Sequence, residues 1–349
     1  MSWSESHPIF TEEMVEEYEA SATPEEKAEM EGLYDVEEIF NAQDKPHIVS
    51  ISLFWKNVRQ TDPDLPEPTR ERMQNARELG LAKRFDPWPH YVQPLLDGTP
   101  RLAVSHPEVV VRIYLAKDLE FLISELVEAG CEVRWMKHPS IRFAPGGLWR
   151  LLPFEDEGKL VTMADTDRML DIPADIERTK AMAKAGLNVW RVPVSLGKQA
   201  DGGVHYRPFI ASQIGLIGGF PVRQLLLAFT WQTLRGGVSK LIEVPGCGTG
   251  PATWANWPDI YFDEWFMSVA LYPRLAEAGV LTFAPSTSQS TLLMLDIEYV
   301  TWANPNSQLV FFPVETCCSP KSISDSDHEI AAFPAEETNT TDHRVKLPS

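Results

Sequence analysis

Residues 109–137 read VVVRIYLAKDLEFLISELVEAGCEVRWMK, and no other stretch restricts the fold as much. VVVRIYL is a continuous apolar run, the pattern of a strand covered on both faces. In DLEFLISELVEAG, Leu119, Leu122, Ile123, Leu126 and Val127 share one helical face, and Gly130 closes the helix. CEVRWMK supplies the next strand. Strand, helix and strand over roughly thirty residues form a βαβ unit, with parallel strands and a right-handed crossover. Helices must cover such strands, so the spacing predicts an α/β protein.

The alternation continues on both sides. HIVSISLF, residues 47–54, is a short β-branched strand followed by the turn-rich WKNVRQTDPDLPEP. EPTRERMQNARELG is helical and closes at Gly80. The prolines of FDPWPHYVQPLLDGTP, residues 85–100, predict an irregular connection. Then come GGLWRLLPFE as a short helix, KLVTMAD as a strand, PADIERTKAMAKAG as a helix and LNVWRVPV as a strand. Beyond about residue 205 the pattern loosens into Gly-rich turns and aromatic runs, with one later helix at FDEWFMSVALYPRLAEAG.

Charge narrows the function. A net charge of −19 argues against a protein that grips nucleic acid by its phosphates. Much of that charge sits in residues 1–46, where only Lys27 and Lys45 oppose TEEMVEEYEA and PEEKAEMEGLYDVEEIF. This segment reads as an acidic N-terminal arm, a solvated helical lead-in that can dock a protein partner. Residues 47–315 read as a single large domain, and residues 316–349 as a mobile polar tail. No run approaches the roughly 18 apolar residues of a membrane span, and the N-terminus has no signal-peptide pattern. A cytoplasmic protein is expected. Cys131, Cys247, Cys317 and Cys318 lack the spacing of a metal site or disulfide framework and read as free thiols.

The chemistry-bearing feature is VTMADTDRML, where an apolar strand stops at two aspartates one residue apart. Positions two apart on a strand point the same way, so Asp165 and Asp167 are expected to converge at the carboxyl edge of the sheet. Ligands bind along that edge in open α/β sheets. Two carboxylates there suit a hard divalent cation, Mg²⁺ or Mn²⁺, that holds a diphosphate, and Arg168 adds positive charge beside them. The plainer alternative is a solvated turn before MLDIP.

The order HIVSISLFWKN, VVVRIYLAKDL, GCEVRWMK, GGLWRLLPFED, VTMADTDR resembles nucleotide-sugar-dependent glycosyltransferases of the GT-A type. More closely, it is similar to a little-characterised bacterial and viral group of them, over roughly residues 47–285. In that group a first strand starts the nucleotide site, a Trp-Arg pair opens a helix and an Asp-x-Asp ends a strand. A Gly-Gly segment and an Asp-containing helix start follow. This chain supplies Trp149 and Arg150, Asp165 and Asp167, Gly218 and Gly219 in GLIGGFP, and Asp263 and Glu264 in IYFDEWFMSVALYP.

The resemblance implies a GT-A-like, Rossmann-type mixed sheet flanked by helices. It puts Ser50, Ser52 and Phe54 beside base and ribose, Arg150 on base or phosphate, and Asp165 and Asp167 on a metal diphosphate. Asp263 or Glu264 would meet the sugar or the acceptor hydroxyl. The implied donor is a UDP- or GDP-type nucleotide sugar, and the acceptor is a carbohydrate or another hydroxyl. Structural alternatives stand beside these roles: a core aromatic for Trp149, an ion pair for Arg150 and a helix N-cap for Asp263.

EVPGCGTGPATW offers neither a dinucleotide fingerprint nor a P-loop and reads as a loop over the site, with Trp254 and Trp257 able to stack on a sugar ring. Two rivals remain. A haloacid-dehalogenase-type phosphatase or phosphotransferase also places Asp-x-Asp at a strand end, but usually on its first strand. A non-catalytic nucleotide-sugar-binding module is the other.

Overall fold

The computed structural model describes residues 10–55, 67–81, 86–140, 146–184, 186, 188–191, 194–198, 204–207, 213–235, 263, 266–271, 274–275, 281–283 and 310–311. All of them fall in the first of the chain's two units, Met1–Val314; the second is Glu315–Ser349.

The described strands are β1 (Val36–Phe40), β2 (His47–Leu53), β3 (Val109–Leu115), β4 (Glu132–Met136), β5 (Leu160–Met163), β6 (Val189–Arg191), β7 (Val194–Lys198), β8 (Val204–Arg207), β9 (Ile214–Ile217), β10 (Leu281–Phe283) and β11 (Val310–Phe311). Nine form one mixed sheet in the order β1-β4-β3-β2-β5-β9-β6-β10-β11, and β7 pairs with β8 as a separate hairpin. β4, β3, β2 and β5 run parallel, whereas β1 is antiparallel at one edge. β9 runs against both of its neighbours, β5 and β6. The expected mixed α/β sheet is present.

β3 is buried at all seven positions, as its unbroken apolar run requires of a strand covered on both faces. The crossover to β4 is less regular than one amphipathic helix. A tight turn, Lys117–Leu122, kinks at Leu119 (φ −105°, ψ 19°) and leads into a short helix, Ile123–Glu128. Leu119, Leu122 and Leu126 are fully buried, and Gly130 ends the unit at φ 95°, where a side chain would be strained.

Three expectations are corrected. First, residues 10–46 are not a solvated arm. Helices α1 (Glu12–Ser21) and α2 (Pro24–Tyr34) bury Val15, Tyr18, Met30, Leu33 and Tyr34, and β1 joins the sheet. Their acidic side chains meet basic partners from later in the chain: Glu12 with Arg274, Glu26 with Arg235, and Glu31 and Asp35 with Arg223. Much of the charge that read as outward-facing is therefore matched within the unit.

Second, residues 88–105 are helical despite their prolines. A π-helical turn, Trp88–Val92, runs into α3 (Gln93–Ser105); Pro89 occupies the first turn, where a missing N–H costs nothing, whereas Pro94 follows the π-turn and Pro100 lies inside α3. Third, the loose region after residue 205 contains α4 (Val222–Leu234), which is buried from Leu225 to Thr233. A helix buried on every face through its middle shows little amphipathic period, so the pattern concealed it. Tyr34 Oη lies 2.6 Å from Thr230 Oγ1, a buried bond between α2 and α4.

A polar chain crosses the core beneath β2 and β5. Trp190 Nε1 donates to Thr179 Oγ1 (2.8 Å), and the Thr179 hydroxyl donates to the carbonyl of Asp175 (2.9 Å). Thr162 then donates to Thr179 (2.7 Å) and accepts from Nε2 of the buried His47 (2.8 Å). Gly215 is essential there, because a Cβ would lie 2.1 Å from Trp190 Nε1 and 2.3 Å from Thr179 Oγ1. Among the described residues no helix is long and apolar enough to cross a membrane.

Candidate functional site

From β2 the chain moves outward to β3 and β4, then returns to place β5 on the other side of β2. Where connections diverge like this, a crevice opens beyond the carboxyl ends of the two strands. β2 ends there at Leu53 and β5 at Met163, so Phe54 and Asp165 border the crevice. A single helical turn, Gly146–Trp149, enters the same region and delivers Arg150.

Arg150 is 5% exposed, and its guanidinium grips two carboxylates. Nη1 contacts Asp165 Oδ1 and Nη2 contacts Asp263 Oδ2, while Nη1 also reaches the carbonyl of Ala164 at 3.3 Å. Burial disfavours the cation, but Asp165 and Asp263 outweigh burial and hold its pKa above the ordinary arginine value. Three residues chosen from three distant stretches of sequence therefore form one cluster.

The backbone of Arg150 is fixed from β2. Ser50 Oγ donates to the Arg150 carbonyl (2.7 Å), and the Arg150 N–H donates to Ser52 Oγ (2.9 Å). The expected nucleoside contact of Ser50 is corrected, because Ser50 is fully buried; Ser52 is half-buried, and its hydroxyl holds the Arg150 N–H. Trp149 is likewise a core aromatic. It is fully buried, and its Nε1 donates to the Leu33 carbonyl at 2.8 Å, tying α2 to the site. Phe54 packs edge-on against Trp149 at 6.4 Å and keeps a half-buried position at the crevice.

The glycines before Trp149 permit this packing. A Cβ on Gly146 would lie 2.6 Å from the Phe54 ring, and one on Gly147 would lie 3.2 Å from Asp263 Oδ2. In contrast, Gly218 and Gly219 take no part in the site. β9 pairs Ile217 with Leu160, so the glycines lie beside the start of β5, with Gly218 N–H bonded to the Lys159 carbonyl (2.8 Å). Asp165 stands beyond the other end of that strand, roughly 16 Å away at ~3.3 Å per residue.

Asp165 and Asp167 do not converge. β5 ends at Met163, and Thr166–Arg168 form a tight turn, so strand alternation does not extend to Asp167. Asp165 turns to Arg150. Asp167 Oδ2 lies 3.2 Å from Nε2 of His90, which the π-helical turn carries to this edge. Sequence reading missed His90 because its segment was read as irregular. Arg168 pairs with Asp171 at 3.1 Å and with Asp175 of the following helix, Ile172–Lys184, at 3.9 Å. Glu264, Trp254 and Trp257 lie outside the described residues.

Among the described residues no group of three or more His, Cys, Asp and Glu side chains could hold a metal, so no closed metal cage is formed there. The charge at the edge nevertheless suits a cation. The Arg150 guanidinium stands against Asp165 and Asp263, and Asp167 adds a further carboxylate beside His90, so carboxylates outnumber guanidinium groups in this set. An open site completed by phosphate oxygens and water fits this donor set. Cys131 is a buried thiol whose pKa burial pushes up to about 11, consistent with an inert core cysteine. In comparisons with known proteins, the chain matches no family model, no curated protein and no solved structure.

Proposed function

We propose that the chain is a metal-dependent glycosyltransferase of the GT-A type, moving a sugar from a nucleoside-diphosphate sugar to an acceptor hydroxyl. The observation that carries this reading is the meeting of Arg150, Asp165 and Asp263 at the crevice between β2 and β5. The glycosyltransferase resemblance singled out these same three residues. The position of Asp165 after β5, not after the first strand, weighs against the phosphatase alternative.

A divalent cation, Mn²⁺ or Mg²⁺, would neutralise the diphosphate as it leaves, with Asp167 on its protein side. Arg150 acts by position. Held by Ser50, Ser52 and two carboxylates, it keeps a permanent positive charge under the crevice. Asp263 pairs with that guanidinium, and its carboxylate can orient an acceptor hydroxyl and take its proton in an inverting reaction. Phe54 offers a partly exposed ring at the mouth for a base or sugar face.

Calorimetry of the full chain with UDP and with GDP tests the reading. Binding should require Mn²⁺ or Mg²⁺, vanish with chelator and be lost in Asp167→Ala. Nucleotide release from a UDP- or GDP-sugar should then accompany it. Binding that ignores chelator, or no binding of either nucleotide, would overturn the proposal.

A further inference from the structure

The residue expected to share a cation with Asp167 was Asp165, but Asp165 Oδ1 is committed to the buried Arg150. The group beside Asp167 is an imidazole. His90 Nε2 lies 3.2 Å from Asp167 Oδ2, and the side chains are 30% and 37% exposed at the crevice edge. Two ligand atoms about 2.1 Å from one ion and 90° apart lie about 3.0 Å from each other, so this separation suits a shared cation as well as an ion pair.

The backbone places His90 deliberately. Gln93 N–H bonds to the Trp88 carbonyl five residues back, widening the helix by one residue just where it meets the Asp-x-Asp turn. Such π-turns frequently mark functional positions. The excess of carboxylates at this edge adds an independent reason for a cation to sit there.

We infer that His90 and Asp167 are the protein ligands of the divalent ion, and that Asp165 is instead a positioning residue for Arg150. The inference rests on the glycosyltransferase reading only for the diphosphate that completes the coordination. Its consequence is selectivity. Mg²⁺ favours oxygen ligands and keeps its waters, so an imidazole nitrogen tilts the site towards Mn²⁺ and other transition ions.

The direct test is pulsed electron paramagnetic resonance of Mn²⁺ bound to the full chain, without nucleotide. Wild type should show ¹⁴N modulation from a coordinated imidazole. His90→Gln should remove it and weaken Mn²⁺ binding at least tenfold, while Asp165→Asn should leave both signal and affinity within about threefold. His90→Asp supplies the folded control, restoring ion binding without the nitrogen signal and narrowing the gap between Mn²⁺ and Mg²⁺. Bound Mn²⁺ without ¹⁴N modulation, a signal that survives His90→Gln, no Mn²⁺ binding, or loss of binding in Asp165→Asn would each overturn the assignment. Repeating the titration with UDP separates the two proposals. Metal-dependent UDP binding without the nitrogen signal defeats only the His90 assignment, whereas the signal without UDP binding defeats only the glycosyltransferase reading.

Discussion

Arg150 and Asp263 stand 113 residues apart in the chain and meet through Nη2 and Oδ2. Through Nη1 the same guanidinium reaches Asp165, so one buried cation joins the end of β5 to Asp263. Arg150→Met would remove the guanidinium that both carboxylates contact. Breaking a buried pair in this way costs about 3–5 kcal/mol. Urea unfolding should register a loss of that size, and Arg150→Lys should fall between, because a single ammonium cannot span both partners. A change below about 1 kcal/mol in Arg150→Met would show that the cluster carries no structural weight.

Gly146 lies against Phe54 so closely that a methyl group would overlap the ring. Gly146→Ala should therefore destabilise the protein by about 1–3 kcal/mol through overpacking. Phe54→Leu trims the ring and should recover part of that loss in the double variant, giving a coupling of at least about 0.5 kcal/mol. Purely additive effects in the double-mutant cycle would mean that the backbone moves aside instead.

The parallel centre of the sheet was legible because β3 and its neighbours are buried on both faces, and double burial leaves unbroken apolar runs in sequence. The Asp-x-Asp was legible for a similar reason, as the place where such a run stops. What could not be read was anything set by long-range approach. Trp149 and Arg150 are adjacent, yet one packs under Leu33 in the core and the other bridges Asp165 to Asp263. Local pattern does not distinguish those fates. The N-terminal acids misled because their partners, Arg223, Arg235 and Arg274, come about two hundred residues or more later. α4 was hidden by its own burial, and α3 by its prolines, one of which, Pro100, stands inside the helix.

His47 makes stability depend on pH. Its Nε2–H is used by Thr162, and Nδ1 is buried with no partner among the described residues, so a second proton would have nothing to bond. Burial, reinforced by Lys180, lowers its pKa from 6.5 to about 4. The folded state therefore resists a proton that the unfolded chain accepts. Stability is fully present above about pH 6.5 and falls as the pH drops towards 4, by about 3 kcal/mol at the limit. Chemical denaturation between pH 7.5 and 4.5 should show that decline, and His47→Gln should flatten it. An equal slope in both proteins would assign the pH dependence to other groups.

Asp165 and Asp167 offer the sharpest contrast, because only Thr166 separates them in sequence but one meets Arg150 and the other His90. Asp165→Asn removes one of the two charges that compensate buried Arg150, and a weakened charged hydrogen bond of this kind costs about 1–3 kcal/mol. Asp167 and His90 are both partly exposed, so Asp167→Asn should change stability by less than about 1 kcal/mol. Nucleotide binding should reverse that ranking. With Asp167 on the ion, Asp167→Asn should lose at least tenfold in Mn²⁺-dependent UDP affinity while melting like wild type. Asp165→Asn should melt early but keep a larger share of its metal-dependent binding at temperatures where it is folded. Melting curves and calorimetry on the two variants therefore separate the carboxylate that supports the site from the one that serves it. If Asp167→Asn binds UDP and Mn²⁺ as wild type does, the ion is held elsewhere, and the turn after β5 is structural throughout.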